Sequence, residues 1–411
     1  MSTPPPRDNR RELPIGRRIA QLRARRGMNQ QVFADRVGRS KSWVDKVERG
    51  VRRLDRLPMI ESVAAALGVT PAVLLGRNTR RAPAAGDATA AVEAVREALA
   101  DHDTPAGRDW PPSGTELDRQ LRYAETAYRH AHHQQVLRVL PGLLTATRHA
   151  RHAAPALTDP LVRVHRLTAQ TMVKLGDPHL AWLAADRAMT TASGDARLTA
   201  RAAVALTQAL RALDRGRLAL AVATTAVRRL APRPYRDTPP DHLPADDLAL
   251  TGTLLAEAAV AAATCGDATT AQECADRAHH LATTHQDRGC HDDDGFAPVL
   301  VELARALVAA RLGDHPAALA RHHHATRDPA WQQLPAEHRA AHLIDMARAH
   351  LDTGDHHAAG RALLTADQIA PAEVRLRPAA RTLLAALVRA GRTPADLTRL
   401  AATIGLTRQP R

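Results

Sequence analysis

Residues 27–50 read GMNQQVFADRVGRSKSWVDKVERG, and their order of cap, apolar face, glycine and second cap decides how the N-terminal part of the chain folds. Asn29 predicts a helix start at Gln30, because its side-chain oxygen can accept a backbone N–H that a first turn leaves orphaned. Val32, Phe33 and Val37, with small Ala34 beside them, give that helix an apolar face. Gly38 ends it, since glycine takes the left-handed conformation of a helix stop without steric cost. Ser40 then caps a second helix over 41–49, with Val44 and Val47 turned inward and Lys41, Ser42, Asp45 and Lys46 turned outward. Two short helices joined by a tight turn, the second presenting donors, have the geometry of an element that enters a DNA major groove.

The flanks extend the same domain. Ile15, Ile19 and Leu22 form an apolar stripe for a preceding helix, closed by Gly27. Residues 58–67 (PMIESVAAAL) read as an amphipathic helix ended by Gly68. Thr70 caps a last short helix with Pro71 in its first turn and Leu74 and Leu75 as apolar anchors. The fold class expected is therefore all-α, with five helices in residues 14–76.

Residues 15–76 resemble the lambda-repressor-like DNA-binding domain of the Cro/repressor (XRE) family. The resemblance is carried by IGRRIAQLRARRGMNQ, FADRVGRSKSWVDKVERG and LGVTPAVLL. It implies that Gln30 touches a phosphate and that Lys41, Ser42 and Lys46 face base edges. It also implies a structural ion bridge between Arg23 and Glu48, joining the first and third helices. Trp43 and Arg39 depart from the family pattern and bear on sequence preference rather than on fold. Two readings of Trp43 stay open, packing on the domain surface or contact with a thymine methyl or a sugar. Lys41 and Lys46 are read as base or phosphate contacts rather than as solvated helix charges. Ser42 can serve base or backbone.

Charge supports the same reading. The chain holds 57 Lys+Arg against 43 Asp+Glu, a net of +14. Residues 1–81 hold 19 basic and 7 acidic side chains, whereas the remaining 330 hold 38 and 36. Arginine outnumbers lysine 54 to 3; an arginine-rich composition explains that ratio but not why the excess sits at one end. A surface that binds a polyanion needs such a concentration, because each phosphate contact releases a counterion. Arg7, Arg10 and Arg11 of the arm, and Arg49, Arg52, Arg53 and Arg56 of the loop, are expected phosphate contacts. The expected DNA-binding set is thus Gln30, Arg39, Ser40, Lys41, Ser42, Trp43, Lys46, Arg49, Arg52 and Arg53.

Four segments are expected: a disordered basic arm at 1–13, the helix-turn-helix domain at 14–76, a linker at 77–114 with a short helix over 91–100, and a repeat region at 115–411. In the last, helix-length apolar segments end at a glycine beside a charged residue. The glycines are Gly176, Gly216, Gly266, Gly313 and Gly354, separated by 40, 50, 47 and 41 residues. Five residues on from each stands alanine: Ala181, Ala221, Ala271, Ala318 and Ala359. Twelve on stand Ala188, Arg228, Ala278, Ala325 and Ala366. Alanine at a crossing lets the second helix of a hairpin approach the first, and glycine supplies the turn. Such hairpins stack into a superhelix. The pattern resembles tetratricopeptide repeats with degenerate units, against the alternative of a non-repetitive bundle. Residues 117–150 read as a further, eroded unit, and 231–247 and 287–295 as interrupting loops.

No phosphate-cradling glycine loop, nucleophile elbow or HExxH motif is present, so neither catalysis nor a cofactor is expected. His338, His342 and Asp345 share a helical face at i, i+4 and i+7, but that face reads as solvated rather than as a metal site. Residues 290–294 (CHDDD) read as loop rather than as a cation site. Cys265, Cys274 and Cys290 form no metal-binding pair and read as reduced thiols of a cytoplasmic protein. No apolar run is long enough to span a membrane.

A helix-turn-helix joined to tetratricopeptide-like repeats resembles the peptide-sensing regulators of Gram-positive bacteria. That resemblance implies a transcriptional regulator that binds double-stranded DNA as a homodimer and senses a peptide or protein segment in its repeat groove. The alternative is a DNA-localised scaffold whose repeats recruit a partner protein.

Overall fold

In the computed structural model the described residues are 15–25, 28–52, 54, 57–67, 85–101, 113–153, 158–230, 244–289, 296–391 and 395–406. The arm, the expected fifth helix around 70–76, Arg53 and Arg56, and the segments 231–243 and 290–295 lie outside them. All regular structure among the described residues is helical, in two units, 1–84 and 85–411.

The first unit contains α1 (Ile15–Arg25), α2 (Gln30–Val37), α3 (Lys41–Glu48) and α4 (Leu57–Ala66). These helices are short, so caps and burial decide them more than propensity does. Their core is Ile19, Phe33, Ala34, Val44, Val47, Ile60, Val63 and Leu67. Gly16 is the point of closest approach of α1 and α3: a Cβ there would lie 3.0 Å from the Glu48 carbonyl oxygen and collide with that of Val47. Val32 does not join the core and is 41% exposed. In an eight-residue helix one face is buried, and Phe33, Ala34 and Val37 already fill it.

The second unit opens with α5 (Ala85–Ala100), which reaches six residues further back than the short helix expected in the linker. Val95 and Leu99 bury it against α7 (His133–Ala153). Its orphan carbonyls are satisfied by arginines of the stack: Arg148 donates to Ala98 and Asp101, and Arg187 to Leu99.

Six helical hairpins follow. They pair α6 (Gly114–Arg129) with α7, α8 (Thr158–Leu175) with α9 (Pro178–Thr191), α10 (Ala196–Ala212) with α11 (Gly216–Leu230), and α12 (Ala245–Thr264) with α13 (Ala268–Asp287). The last two pair α14 (Pro298–Arg311) with α15 (His315–Arg327), and α16 (Ala336–Asp352) with α17 (His356–Ile369). Then come α18 (Pro371–Leu376), α19 (Pro378–Arg389) and α20 (Ala395–Thr403). The first helix of each hairpin packs on the first helix of the next, from α6 through α16. This is a tetratricopeptide-like stack. α12 is long and apolar enough to cross a membrane, but 67% of its apolar window is buried inside the stack.

The turns show why a glycine beside a charge recurs. Gly176, Gly266, Gly313 and Gly354 all have φ between 77 and 83°. The charged neighbour is in each case an aspartate that caps the second helix: Asp177, Asp267, Asp314 and Asp355 accept the backbone N–H of Leu180, Thr270, Ala317 and Ala358 at 2.8–3.0 Å. Each such cap contributes about 1 kcal/mol.

Gly216 breaks the expected pattern. It is the first residue of α11, and the left-handed turn residue is Asp214, with φ 59°. Gly216 is instead a contact point, where a Cβ would lie 2.6 Å from Cys265 Sγ. Counting from Asp214 moves the register by two. The crossing alanine is then the fully buried Ala219, not the exposed Ala221, and the position twelve on is buried Ala226 rather than Arg228. With this correction all five units carry buried alanine at both offsets. Ala131, at φ 56°, takes the turn position between α6 and α7, where large Val136 and Leu143 stand at the crossing.

Candidate nucleic-acid interface

The interface is built on two capped helices. The Asn29 side chain accepts the Val32 N–H at 2.9 Å and the Ser40 hydroxyl accepts the Trp43 N–H at 3.2 Å. Between them Gly38, at φ 66°, closes α2, and the Arg39 N–H donates to the Ala34 carbonyl at 2.9 Å. These bonds fix the angle at which α3 leaves α2.

Glu48 holds α3 to the rest of the unit. The Arg23 guanidinium donates twice to its carboxylate, at 2.6 and 3.0 Å, and once to the Met28 carbonyl at 2.7 Å. The ion bridge implied by the resemblance is present. The hydrogen bond to Glu48 raises the Arg23 pKa above its ordinary value, outweighing burial. Gln30 lies in the same network, its amide donating to Glu48 at 2.9 Å. That bond turns the side chain toward the domain, so the end of α2 rather than a free amide is what Gln30 presents outward.

With Val44, Val47 and Glu48 buried, the opposite face of α3 shows Lys41, Ser42, Asp45, Lys46 and, just beyond its end, Arg49. Lys41, Ser42 and Lys46 are exposed, and no ion pair engages either lysine among the described residues. Arg49 pairs with Asp45 at 2.6 Å on the surface. Lys41 occupies the first turn, where the helix dipole disfavours a cation by roughly 0.3–1 kcal/mol. Trp43 is half-buried against the core, and the Arg39 guanidinium lies 6.0 Å from its ring centroid. Asp35, Gly38, Arg39, Ser40 and Trp43 line a shallow depression beside this face. Arg52 is exposed in the following loop.

The sequence did not reveal Gly16 as a crossing point or Gln30 as a partner of Glu48. A glycine inside an amphipathic helix was the available signal for the first. The second depends on side-chain geometry between α2 and α3.

The metal candidate of the stack does not assemble. His342 is buried, not solvated: it shares a 3.0 Å hydrogen bond with His322 and packs edge-on to Trp331. The i+4 spacing placed it correctly on the helix, but α15 and the short 3-10 helix Pro329–Gln333 cover that face. His338 turns to Glu337, and Asp345 to Arg377. Among the described residues no three His, Cys, Asp or Glu side chains are grouped to hold a metal ion. Cys265 and Cys274 are free thiols.

Residues 14–75 match the family described as "Helix-turn-helix domain". No curated protein is significantly similar to the chain in sequence. Among solved structures the chain is similar to Bacillus thuringiensis PlcR in complex with the peptide PapR7 and DNA, at 10% identity and a TM-score of 0.32, covering 86% of this chain and 94% of that one. It is similar to a PrgX point mutant at 10% identity and a TM-score of 0.31, covering 83% and 95%. It is also similar to the apo form of the competence regulator ComR from Streptococcus vestibularis, at 15% identity and a TM-score of 0.22, covering 72% and 97%. The caps, the core and the family match identify the first unit. Residues 14–75 are a helix-turn-helix domain.

Proposed function

We propose that the chain is a sequence-specific DNA-binding transcriptional regulator. The observation that carries the reading is the outer face of α3, which bears two exposed lysines without acidic partners among the described residues of a helix-turn-helix domain. Lys41, Ser42 and Lys46 read base edges, and Trp43 contacts a thymine methyl or a sugar. Gln30, Arg39, Ser40, Arg49, Arg52 and Arg53 position the domain on phosphates. Lys41 supports the assignment in a second way. A cation against the helix dipole lowers stability, so its place in the first turn is better explained by a partner than by folding.

The hairpin stack supplies dimerisation and senses a peptide or other ligand, because stacked hairpins offer extended surfaces to chain segments. A twofold dimer would set two α3 helices about one DNA turn, roughly 34 Å, apart.

Three measurements test this. Lys41→Ala and Lys46→Ala each weaken binding to a selected operator by about 1–3 kcal/mol and relax specificity at one base pair. Lys41→Ala also raises thermal stability slightly, by a few tenths of a kcal/mol. Unchanged affinity in both variants removes α3 as the reader. Light scattering that finds a monomer both free and on DNA removes the twofold arrangement. A stable partner protein on the stack, with operator affinity independent of any small ligand, turns the assignment to the scaffold.

A further inference from the structure

The two ends of the hairpin stack meet. α6 touches α16 and α8 touches α18, although these helices are far apart in sequence. The contact is unlike any other in the stack. Successive hairpins join through alanine and leucine, with part-exposed carboxylates meeting arginines at their edges, whereas here the two central carboxylates, Glu337 and Glu373, are themselves buried. Glu373 of α18 is fully buried, and its carboxylate bonds His133 Nε2 of α7 at 2.6 Å. Lys174 of α8 pairs with Glu337 of α16 and lies 3.5 Å from Glu373. Arg377 lies 3.5 Å from Glu373 and 3.9 Å from Asp345. His338 lies 3.3 Å from Glu337, and the Tyr128 ring packs on that of His133. The apolar part of the seam is small: Ala131, and Gly176 against Pro378.

Burial alone would raise the Glu373 carboxyl. The Lys174 ammonium, the His133 hydrogen bond and the Arg377 guanidinium hold it well below the usual carboxylate range instead. Burial acts likewise on Glu337, and Lys174 and His338 overcome it. Lys174 is also one of three lysines against 54 arginines, and the other two are on α3. A compact ammonium reaches two carboxylates from different helices where a planar guanidinium would demand more room.

An interface of this kind behaves differently from an apolar one. Buried ion pairs repay little more than the desolvation of their members. Parting such a seam rehydrates every charge, while parting two apolar hairpins exposes alanine and leucine to water with no return. Opening such a seam therefore costs less free energy per contact than parting an apolar one.

We infer that α18 is a clasp, and that the stack opens and closes at the seam between α6–α8 and α16–α19 while the hairpins between keep their packing. Opening changes access to the inner face of the stack without unfolding any hairpin. The inference does not depend on the DNA-reading assignment.

The test is hydrogen exchange of the full chain, resolved by segment. Glu373→Gln keeps the shape of the side chain and removes its charge. Exchange should rise about tenfold in segments covering 126–137, 170–176 and 370–380, with α10–α13 unchanged. Replacing His133, Lys174, Glu337, Glu373 and Arg377 together by methionine should lower exchange in the same segments below that of the native chain, because a matched apolar seam has no rehydration to gain. An unchanged exchange pattern in Glu373→Gln overturns the clasp. So does a rise spread evenly through α10–α13, which would make the seam part of one cooperative structure. A rise in the all-methionine seam variant overturns it as well, since the charges would then be needed for folding alone.

Discussion

The two units use charged side chains in opposite ways. In the stack half-buried arginines meet carboxylates: Arg163 of α8 pairs with Asp118 and Glu125 of α6, Arg211 of α10 with Glu257 of α12, and Arg305 of α14 with Asp276 of α13. These pairs tie one hairpin to the next, and residues 82–411 are close to neutral. In the helix-turn-helix domain Arg23 and Arg49 are paired, while Lys41 and Lys46 stand exposed without acids among the described residues. Matched charge is architecture, and in the proposed reading the unmatched charge is what meets a polyanion. Histidine divides the same way. All 22 follow residue 101, so the domain that carries α3 has none.

That division can be broken first with acid. Burial and the charges of Arg187, Arg148 and Arg151 lower the His165 pKa to about 3. Burial lowers His342 to about 4, and burial with the neighbouring His342 lowers His322 to about 3. The unfolded chain takes up these protons near pH 6.5, well before the folded one does. Stability of the stack is therefore full above pH 6.5 and falls as pH drops toward 4. Each histidine removes about 1.4 kcal/mol per pH unit in that window. Exchange measured by segment should show the stack opening between pH 6.5 and 4 while α1–α4 stay protected. His342→Gln should flatten part of the slope, and a domain that melts at the same pH as the stack would end the distinction.

The reverse experiment breaks the small domain alone. Glu48→Ala leaves Arg23 half-buried without its carboxylate and Gln30 without its acceptor. Removing one member of a buried pair costs about 3–5 kcal/mol. Residues 15–67 should lose protection while α8–α17 keep theirs, and a loss below 1 kcal/mol would show that the bridge is solvated in solution.

How much of each unit could be read in advance follows from how its jobs are distributed. In α2 and α3 each position has one local task, so Asn29, Gly38, Ser40, Val44 and Val47 declare themselves by spacing. Val32 does not declare itself, because spacing alone does not say which of two adjacent apolar residues faces the core. The stack was legible as a repeat because alanine and glycine recur. Its exception at 214–216 was not, because an aspartate in the turn position breaks the letter of the repeat and keeps its geometry. The seam was illegible: His133 and Glu373 are 240 residues apart, and no periodicity relates them. Lys174 offered a trace, a lysine where the chain otherwise uses arginine.

The corrected register is open to a direct contrast. Ala219 lies fully buried at the α10–α11 crossing, two residues from exposed Ala221. Ala219→Leu should cost about 1–3 kcal/mol by overpacking. Ala221→Leu should stay within about 0.5 kcal/mol, as surface changes do. Equal costs, read from thermal melts of the full chain, would return the turn to Gly216.

The smallest effect bears on the turn itself. At Gly266 a Cβ would meet nothing within 4 Å, so only its φ of 77° resists substitution. Gly266→Ala should cost about 1–2 kcal/mol, the penalty of a left-handed conformation for an L side chain. Asp214 already accepts that penalty at φ 59°. Asp214→Gly relieves it and at the same time frees the unfolded chain, and the two terms oppose each other with similar size. A net change within about 1 kcal/mol is expected, against the clear loss at Gly266. If Asp214→Gly instead destabilised the stack as much as Gly266→Ala, the aspartate side chain would be holding the turn. The repeat would then have two turn chemistries rather than one geometry filled by two residues.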